Sequence, residues 1–359
     1  MSAPHTGLLP RGCEVCSKKE GLLRCSGCQS VWYCGRDHQV ADRPIHKTGC
    51  VAVKKARAAY EREDAKLRNL PDEGERGWGP DAFEKGAGRF WGIVETRDYM
   101  RARHHFVDTV LLFFGGTNGE NRVVGRVDAV RLALDHLLDM IRLSRGDNMG
   151  IRHIVPGLYL ALGRDQEAYD FMKWYATTGA SSTYDWGNMG PGFLDVEGAD
   201  ALEAPLEHWL RGRFLQVSHV AAVTLIKVRV LLDLQAIQNS RTALGGTIPT
   251  EITDDICGKL VSSIVASRPD ILRNDAQQIQ GLIQRTKDHI RQLYESIKKS
   301  NPHFWELMLD DPDAAGMNRP NMFSPGSKEE ACLTIGYSCT SWLATKGAID
   351  VIRGLKETA

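Results

Sequence analysis

The chain has no net charge: 45 Lys and Arg are matched by 45 Asp and Glu across 359 residues. That balance removes any global electrostatic case for binding nucleic acid or an anionic membrane. Long apolar runs are missing as well. The most apolar stretch, Val220 to Ile237, is interrupted by Lys227, Arg229 and Asp233, so it is too polar for a membrane span and reads as a buried helix. Met1 to Arg11 lacks the apolar centre of a signal peptide, which sets the expected compartment as cytoplasm or nucleus. Catalytic signatures are absent: there is no G-x-S-x-G, Walker A, G-x-G-x-x-G or H-E-x-x-H. With 42% apolar and 25% charged residues, the composition is that of an ordinary globular chain, long enough for two or three domains.

What is present is concentrated near the N-terminus. Eight Cys and His residues fall within 13–50, as Cys13-x2-Cys16, Cys25-x2-Cys28, Cys34-x3-His38 and His46-x3-Cys50. A Cys-x2-Cys turn wraps two thiolates around one Zn²⁺, and residues four apart on a helical turn share a face. Four such pairs supply two closed tetrahedral sites. A disulfide framework does not account for His at two of the eight positions. Spacing alone leaves three ways of grouping the four pairs. So short a segment has little core, and metal binding would supply its folding free energy, roughly 10–16 kcal/mol per structural site.

At these residues the sequence resembles the MYND-type zinc finger. The match runs through Cys13/Cys16, Cys25/Cys28, Tyr33-Cys34, Gln39 and His46-Lys47-x2-Cys50. The family's cross-brace implies Cys13, Cys16, Cys34 and His38 around one structural zinc, and Cys25, Cys28, His46 and Cys50 around the other. There are two departures. His38 stands where the family usually has Cys, giving a Cys3His site, and Arg43 stands where it often has Trp. The resemblance implies protein partners, among them a proline-containing peptide laid near Val31-Trp32 and Gln39. Arg43 removes apolar area there, so binding to generic proline-rich motifs is expected to be weak.

Beyond the finger a connecting helix is expected over 51–70, with Arg57–Glu61, Asp64–Arg68 and Glu63–Lys66 as local charge pairs. A Gly- and charge-rich linker follows over 71–88, then an α-helical domain over 89–359. Helices are expected at Thr96–Phe114, Val127–Leu143, Ile151–Leu162, Asp165–Thr177, Leu206–Gln238, Asp275–Lys299 and Glu329–Leu355, with shorter ones near Thr253–Ser267 and His303–Leu309. Ile151–Tyr175 resembles one tetratricopeptide-type helix pair, with Tyr159, the turn residue Gly163 and the small Ala168 at that repeat's spacing. A short helical-repeat array and an irregular all-α domain are the two readings this leaves. The loop Gly179–Asp200 carries Tyr184, Trp186, Met189 and Phe193, and is expected to pack over the helices or to present binding anchors.

The fold expected is thus a small zinc-stabilised finger joined to a mainly α-helical, tetratricopeptide-like domain. Other constellations read as structural. His104-His105 with Asp108 lacks a third ligand, Asp310 to Asp313 is a capped loop, and Arg97, Arg101 and Arg103 make interhelical ion pairs. The SET methyltransferase domain, a frequent companion of this finger, would need an Asn-His segment, and Asn301-Pro302-His303 stands in a helical context instead. No catalytic residue is assigned. The expected function is a non-catalytic zinc-binding adaptor. An enzyme or small-molecule binder with a pocket under the 179–200 loop is the alternative, and a DNA-binding regulator is disfavoured.

Overall fold

The structure is a computed structural model that describes residues 7–71, 81–116, 125–211, 215–245, 248–320 and 322–358. Part of the expected linker, 72–80, lies outside them. Among the described residues there are sixteen α-helices and one two-stranded sheet. The chain divides into two compact units, Leu8–Val155 with Asp185–Gly192, and Pro156–Tyr184 with Phe193–Ala359.

The first unit begins with β1 (Leu23–Arg24) paired antiparallel to β2 (Trp32–Tyr33). Both strands lie in the finger, so no strand was missed elsewhere among the described residues. α1 (Arg36–Arg68) follows as one unbroken 33-residue helix that starts inside the finger. It buries Gly49, Val53, Ala56 and Leu67 and packs on α3 (Arg97–Phe114); between them lies the four-residue α2 (Ala82–Lys85). α3 in turn packs on α4 (Val127–Leu143). Both present apolar side chains at three- and four-residue spacing: Met100, Val107, Val110 and Phe114 on α3, and Val130, Leu134, Leu137 and Ile141 on α4. Tyr60 of α1 stacks on Phe106 with ring centroids 5.8 Å apart and meets His136 edge-on at 5.6 Å, so all three helices share one aromatic cluster.

Separate cores for finger and helices would follow from a free-standing module, and the structure shows otherwise. Arg11 donates to both oxygens of Asp128, at 2.8 and 2.9 Å, and Trp32 Nε1 donates to the same carboxylate at 2.9 Å. Glu14 pairs with Arg126, Leu9 N–H bonds Gly125 O at 2.7 Å, and His46 lies 5.7 Å from the Phe114 ring. The start of α4 therefore grips the finger from outside.

The second unit is built on α8 (Val217–Ala243), preceded by α5 (Val155–Ala161), α6 (Asp165–Ala176) and α7 (Glu207–Arg211). Gly163 takes φ +71°, the left-handed conformation that ends α5, and Ala168 is fully buried on α6. Of the helix pair expected at Ile151–Tyr175, the second is α6, while the first is shorter than expected, a 3-10 turn at Ile151–His153 followed by the seven-residue α5. The longer helices that follow it run 27, 25 and 17 residues. α9 (Thr253–Cys257), α10 (Ser263–Ala266) and α11 (Pro269–Arg273) lead to α12 (Ala276–Ser300). There Asp275 and Gln278 close a reciprocal capping box. α13 (Phe304–Asp310), α14 (Pro312–Met317), α15 (Lys328–Ala344) and α16 (Ala348–Thr358) complete the unit. From Val217 to Leu231 every side chain of α8 is buried, as expected of a helix apolar all round. Tyr184 and Phe193 of the long loop pack edge-on against the fully buried Trp174, at 5.3 and 5.0 Å. Among the described residues no helix is long and apolar enough to cross a membrane.

Candidate metal centre

Each Cys-x2-Cys pair sits on a tight turn closed by backbone hydrogen bonds. Ser17 N–H reaches Cys13 O at 2.8 Å and Gln29 N–H reaches Cys25 O at 2.9 Å. Ser17 and Gln29 hold φ of 58° and 54°, a left-handed strain that a non-glycine residue tolerates where other bonds fix the turn. A Cβ on Gly27 would stand 2.7 Å from Cys50 Sγ, so the second knuckle closes only because that residue is glycine. α1 supplies His38, His46 and Cys50, and Cys34 lies between β2 and that helix.

The eight donors fall into two groups. Cys13, Cys16, Cys34 and His38 form one, and Cys25, Cys28, His46 and Cys50 the other, with all ligand atoms of a group within 4.8 Å of one another. A tetrahedral zinc with bonds of about 2.3 Å to sulfur and about 2.0 Å to nitrogen would set S···S edges of about 3.8 Å and S···N edges of about 3.5 Å. In the first group Cys16 and Cys34 are 3.7 Å apart, and His38 Nδ1 lies 3.4 and 3.1 Å from Cys13 and Cys34. In the second, Cys25 and Cys50 are 3.7 Å apart, and His46 Nε2 lies 3.4 and 3.6 Å from Cys25 and Cys28. Both sets fit Zn²⁺ in a Cys3His shell. One histidine binds through Nδ1 and the other through Nε2, so the two rings enter their sites differently.

Thiols of the two groups are shifted in opposite directions. Burial pushes the Cys28 thiol up to about 12, so packing alone disfavours the thiolate there, and zinc supplies the opposing charge. Burial opposes ionisation of Cys13 too, but the backbone N–H groups of Cys16, Cys34 and Val15 outweigh it and bring that thiol down to about 6. Burial also lowers His46, which favours the neutral form that binds metal. Sequence reasoning missed the support behind the second knuckle. Arg57 donates to the carbonyls of Gly27, at 3.3 Å, and Cys28, and its guanidinium lies 5.3 Å from the Phe106 ring centroid. The spacing suggested only a local pair with Glu61.

The other constellations singled out in the sequence take the following places among the described residues. Asp311 caps α14 by accepting from Ala314 N–H at 2.9 Å, as a capped loop should. Buried Asn301 donates to Ser327 O and to Glu330, both at 2.9 Å, and accepts from His303 N–H, which joins the end of α12 to the start of α15. Arg103 of α3 pairs with Asp139 of α4 at 2.5 Å, the expected interhelical bridge. Arg101 instead pairs within its own helix with Asp98, and Arg97 donates to Trp91 O. His104, His105 and Asp108 do not assemble with a further donor into a metal-binding group.

Comparison with known proteins agrees with this geometry. The MYND finger family matches residues 13–50. Egl nine homolog 1 of Homo sapiens is 53% identical over 38 residues, 11% of this chain and 9% of that protein. Egl nine homolog 1 of Mus musculus is 46% identical over 46 residues, 13% of this chain and 12% of that protein. Histone-lysine N-methyltransferase ASHR1 of Arabidopsis thaliana is 42% identical over 41 residues, 11% of this chain and 8% of that protein. The chain thus spans only about a tenth of the length of these relatives. No solved structure matches the chain. Residues 13–50 of this chain are a MYND zinc finger with two Cys3His zinc-binding sites.

Proposed function

We propose that the protein is a non-catalytic adaptor: zinc fixes the finger against a helical scaffold, and the surfaces so held bind other proteins. The observation that carries this is the donor count. Each metal group already has four side-chain donors, and a tetrahedral zinc so filled has no position for water or substrate. The role of the metal in this reading is to hold backbone, with residues 13–50 as the finger, 51–70 as the helix that runs on from it and 89–359 as helical scaffold. The matches to Egl nine homolog 1 and to the methyltransferase are confined to the finger, so they lend support to the module and none to a shared reaction. A proline-containing peptide is the proposed ligand of the finger, weakly bound, since Trp32 is already held by Asp128 and Arg11 lies over its ring at 4.7 Å. Cytoplasm or nucleus is the proposed location.

The test is affinity capture with the zinc-loaded full chain, followed by reconstitution with the purified candidate. Direct binding to an identified protein, lost when zinc is chelated, is the expected result. A co-purifying metabolite with turnover, and no direct protein partner, would overturn the reading in favour of an enzyme.

A further inference from the structure

α1 changes character along its length. Its distal part is self-compensated: Lys66 pairs with Glu63 and Arg68 with Asp64, each at 2.8 Å. The part that carries the zinc ligands is different. At 100° per residue, Val40, Pro44, Val51 and Ala58 fall on one line along the helix, opposite the buried Gly49, Val53 and Ala56. All four are exposed, Val40 at 59% and Val51 at 57%. Arg43, Lys47 and Lys54 run along one side of that line and Lys55 along the other, all exposed. None of these four cations has an ion pair among the described residues.

Chains usually keep exposed valines scattered and surface cations paired or interspersed with acids. An apolar line flanked by Arg43, Lys47 and Lys54 on one side and by Lys55 on the other, with Asp37 the acid nearest the helix start, is complementary to an acidic amphipathic segment. We propose that this outer face of α1 docks such a segment of a partner protein, carboxylates against Arg43, Lys47, Lys54 and Lys55 and apolar side chains along Val40, Pro44 and Val51. The proposal rests on the adaptor reading and gives its partner a chemistry. A nucleic acid would use the cations but not the apolar line, and the face offers no aromatic ring for base stacking. A membrane surface calls for bulky Trp, Phe or Leu, and this line holds Val, Pro and Ala. The competing role is internal, in that the cations would offset the negative charge of the zinc–thiolate sites, since Lys47 and Lys54 stand three and four residues from Cys50 on the helix.

The experiment uses the zinc-loaded full chain and a fluorescent helical peptide of Leu, Glu and Ala, about 18 residues long to match the length of the face. Anisotropy titration should show binding that weakens at least about tenfold when Gln replaces Glu in the peptide, or with Lys47→Glu/Lys54→Glu or Val51→Asp in the protein. Equal affinity for the Glu and Gln peptides, or unchanged binding by the variants, would overturn the proposal. So would tighter binding of duplex DNA or phosphatidylserine vesicles than of the acidic peptide. Zinc content is measured for every variant. If the charge reversal loses zinc, Lys47→Gln/Lys54→Gln decides: zinc retained with weakened binding supports docking, and zinc retained with unchanged binding refutes it. A partner identified by capture that still binds these variants would leave the adaptor reading standing and remove this surface from it.

Discussion

Arg57→Ala tests whether the finger is held from the helical side. The side chain is half-buried and makes hydrogen bonds to Gly27 O and Cys28 O as well as the contact with Phe106. A charge-assisted hydrogen bond contributes about 1.5–3 kcal/mol, and a partly exposed cation–π contact about 0.5–1 kcal/mol. Because the guanidinium keeps some contact with water, the combined loss is set at about 2 kcal/mol, roughly a 30-fold change in an opening equilibrium. The loss is local to Cys25, Cys28, His46 and Cys50, since of the two knuckles Arg57 bonds only the one at Cys25–Cys28. Chelator challenge with a chromogenic zinc reporter should resolve two release phases in the variant, one about 30-fold faster than wild type and one unchanged. Arg57→Lys keeps the charge but not the planar fork, and should fall between them. Two ions released together at the wild-type rate would refute the idea that α1 latches this site.

Further expectations follow from the same packing. Removing zinc should cost more helical circular dichroism than α1 alone carries, because α1, α3 and the finger share a core; loss confined to the finger would show independent folding. Arg229→Met should destabilise the second unit by about 3–5 kcal/mol in denaturant titration, because it strands the fully buried Asp165; a change under about 1 kcal/mol would refute a coupled pair. Lys227 is buried and pushed down to about 8 by desolvation. Between that value and its ordinary 10.5 the unfolded chain holds the extra proton, so stability should rise with pH across this window by about 3 kcal/mol more in wild type than in Lys227→Met. A flat difference between the two proteins would show that Lys227 is not neutralised. Phe193→Ala should destabilise the second unit by about 1–2 kcal/mol through lost contact with Trp174, measured by thermal unfolding; an unchanged midpoint would refute that packing role.

The metal ligands were legible because their chemistry is rare and their spacing is fixed by the turn and the helix that present them. The bounds of α4 were legible for a similar reason: apolar periodicity continues up to both ends, and Val127–Leu143 is the helix observed. Legibility failed where a distant group outcompetes a local one. Arg57 was expected to pair with Glu61, four residues on, but carbonyls 29 and 30 residues back claim it. Asp128 gave no sign that it would hold Arg11 and Trp32, because charge patterning reports only neighbours along the chain. Glu329–Leu355 reads as one helix, and the structure breaks it between Ala344 and Ala348, where Gly347 has φ +89°. The aromatics of the long loop were visible as a cluster, but nothing in the loop itself names Trp174 as the ring that receives two of them.

The charges that interrupt Val220–Ile237 mark where other elements must meet α8. Arg229 donates to Asp165 of α6 at 2.5 Å, to Leu160 O of α5 at 3.2 Å and to Thr345 after α15 at 3.0 Å. Asp233 accepts the N–H groups of Val261 and Ser262 at 2.9 and 2.7 Å, ahead of α10, and Lys227 donates to Glu203 O. A purely apolar α8 could bury the same area in several rotations about its axis, because hydrophobic contact has no direction. Three ionisable groups at positions 227, 229 and 233, each needing a particular partner, leave far fewer of those rotations free of an unsatisfied buried charge. The polar residues that exclude a membrane span therefore also orient the core helix of the second unit, and both consequences come from the cost of leaving a charge without water or a partner.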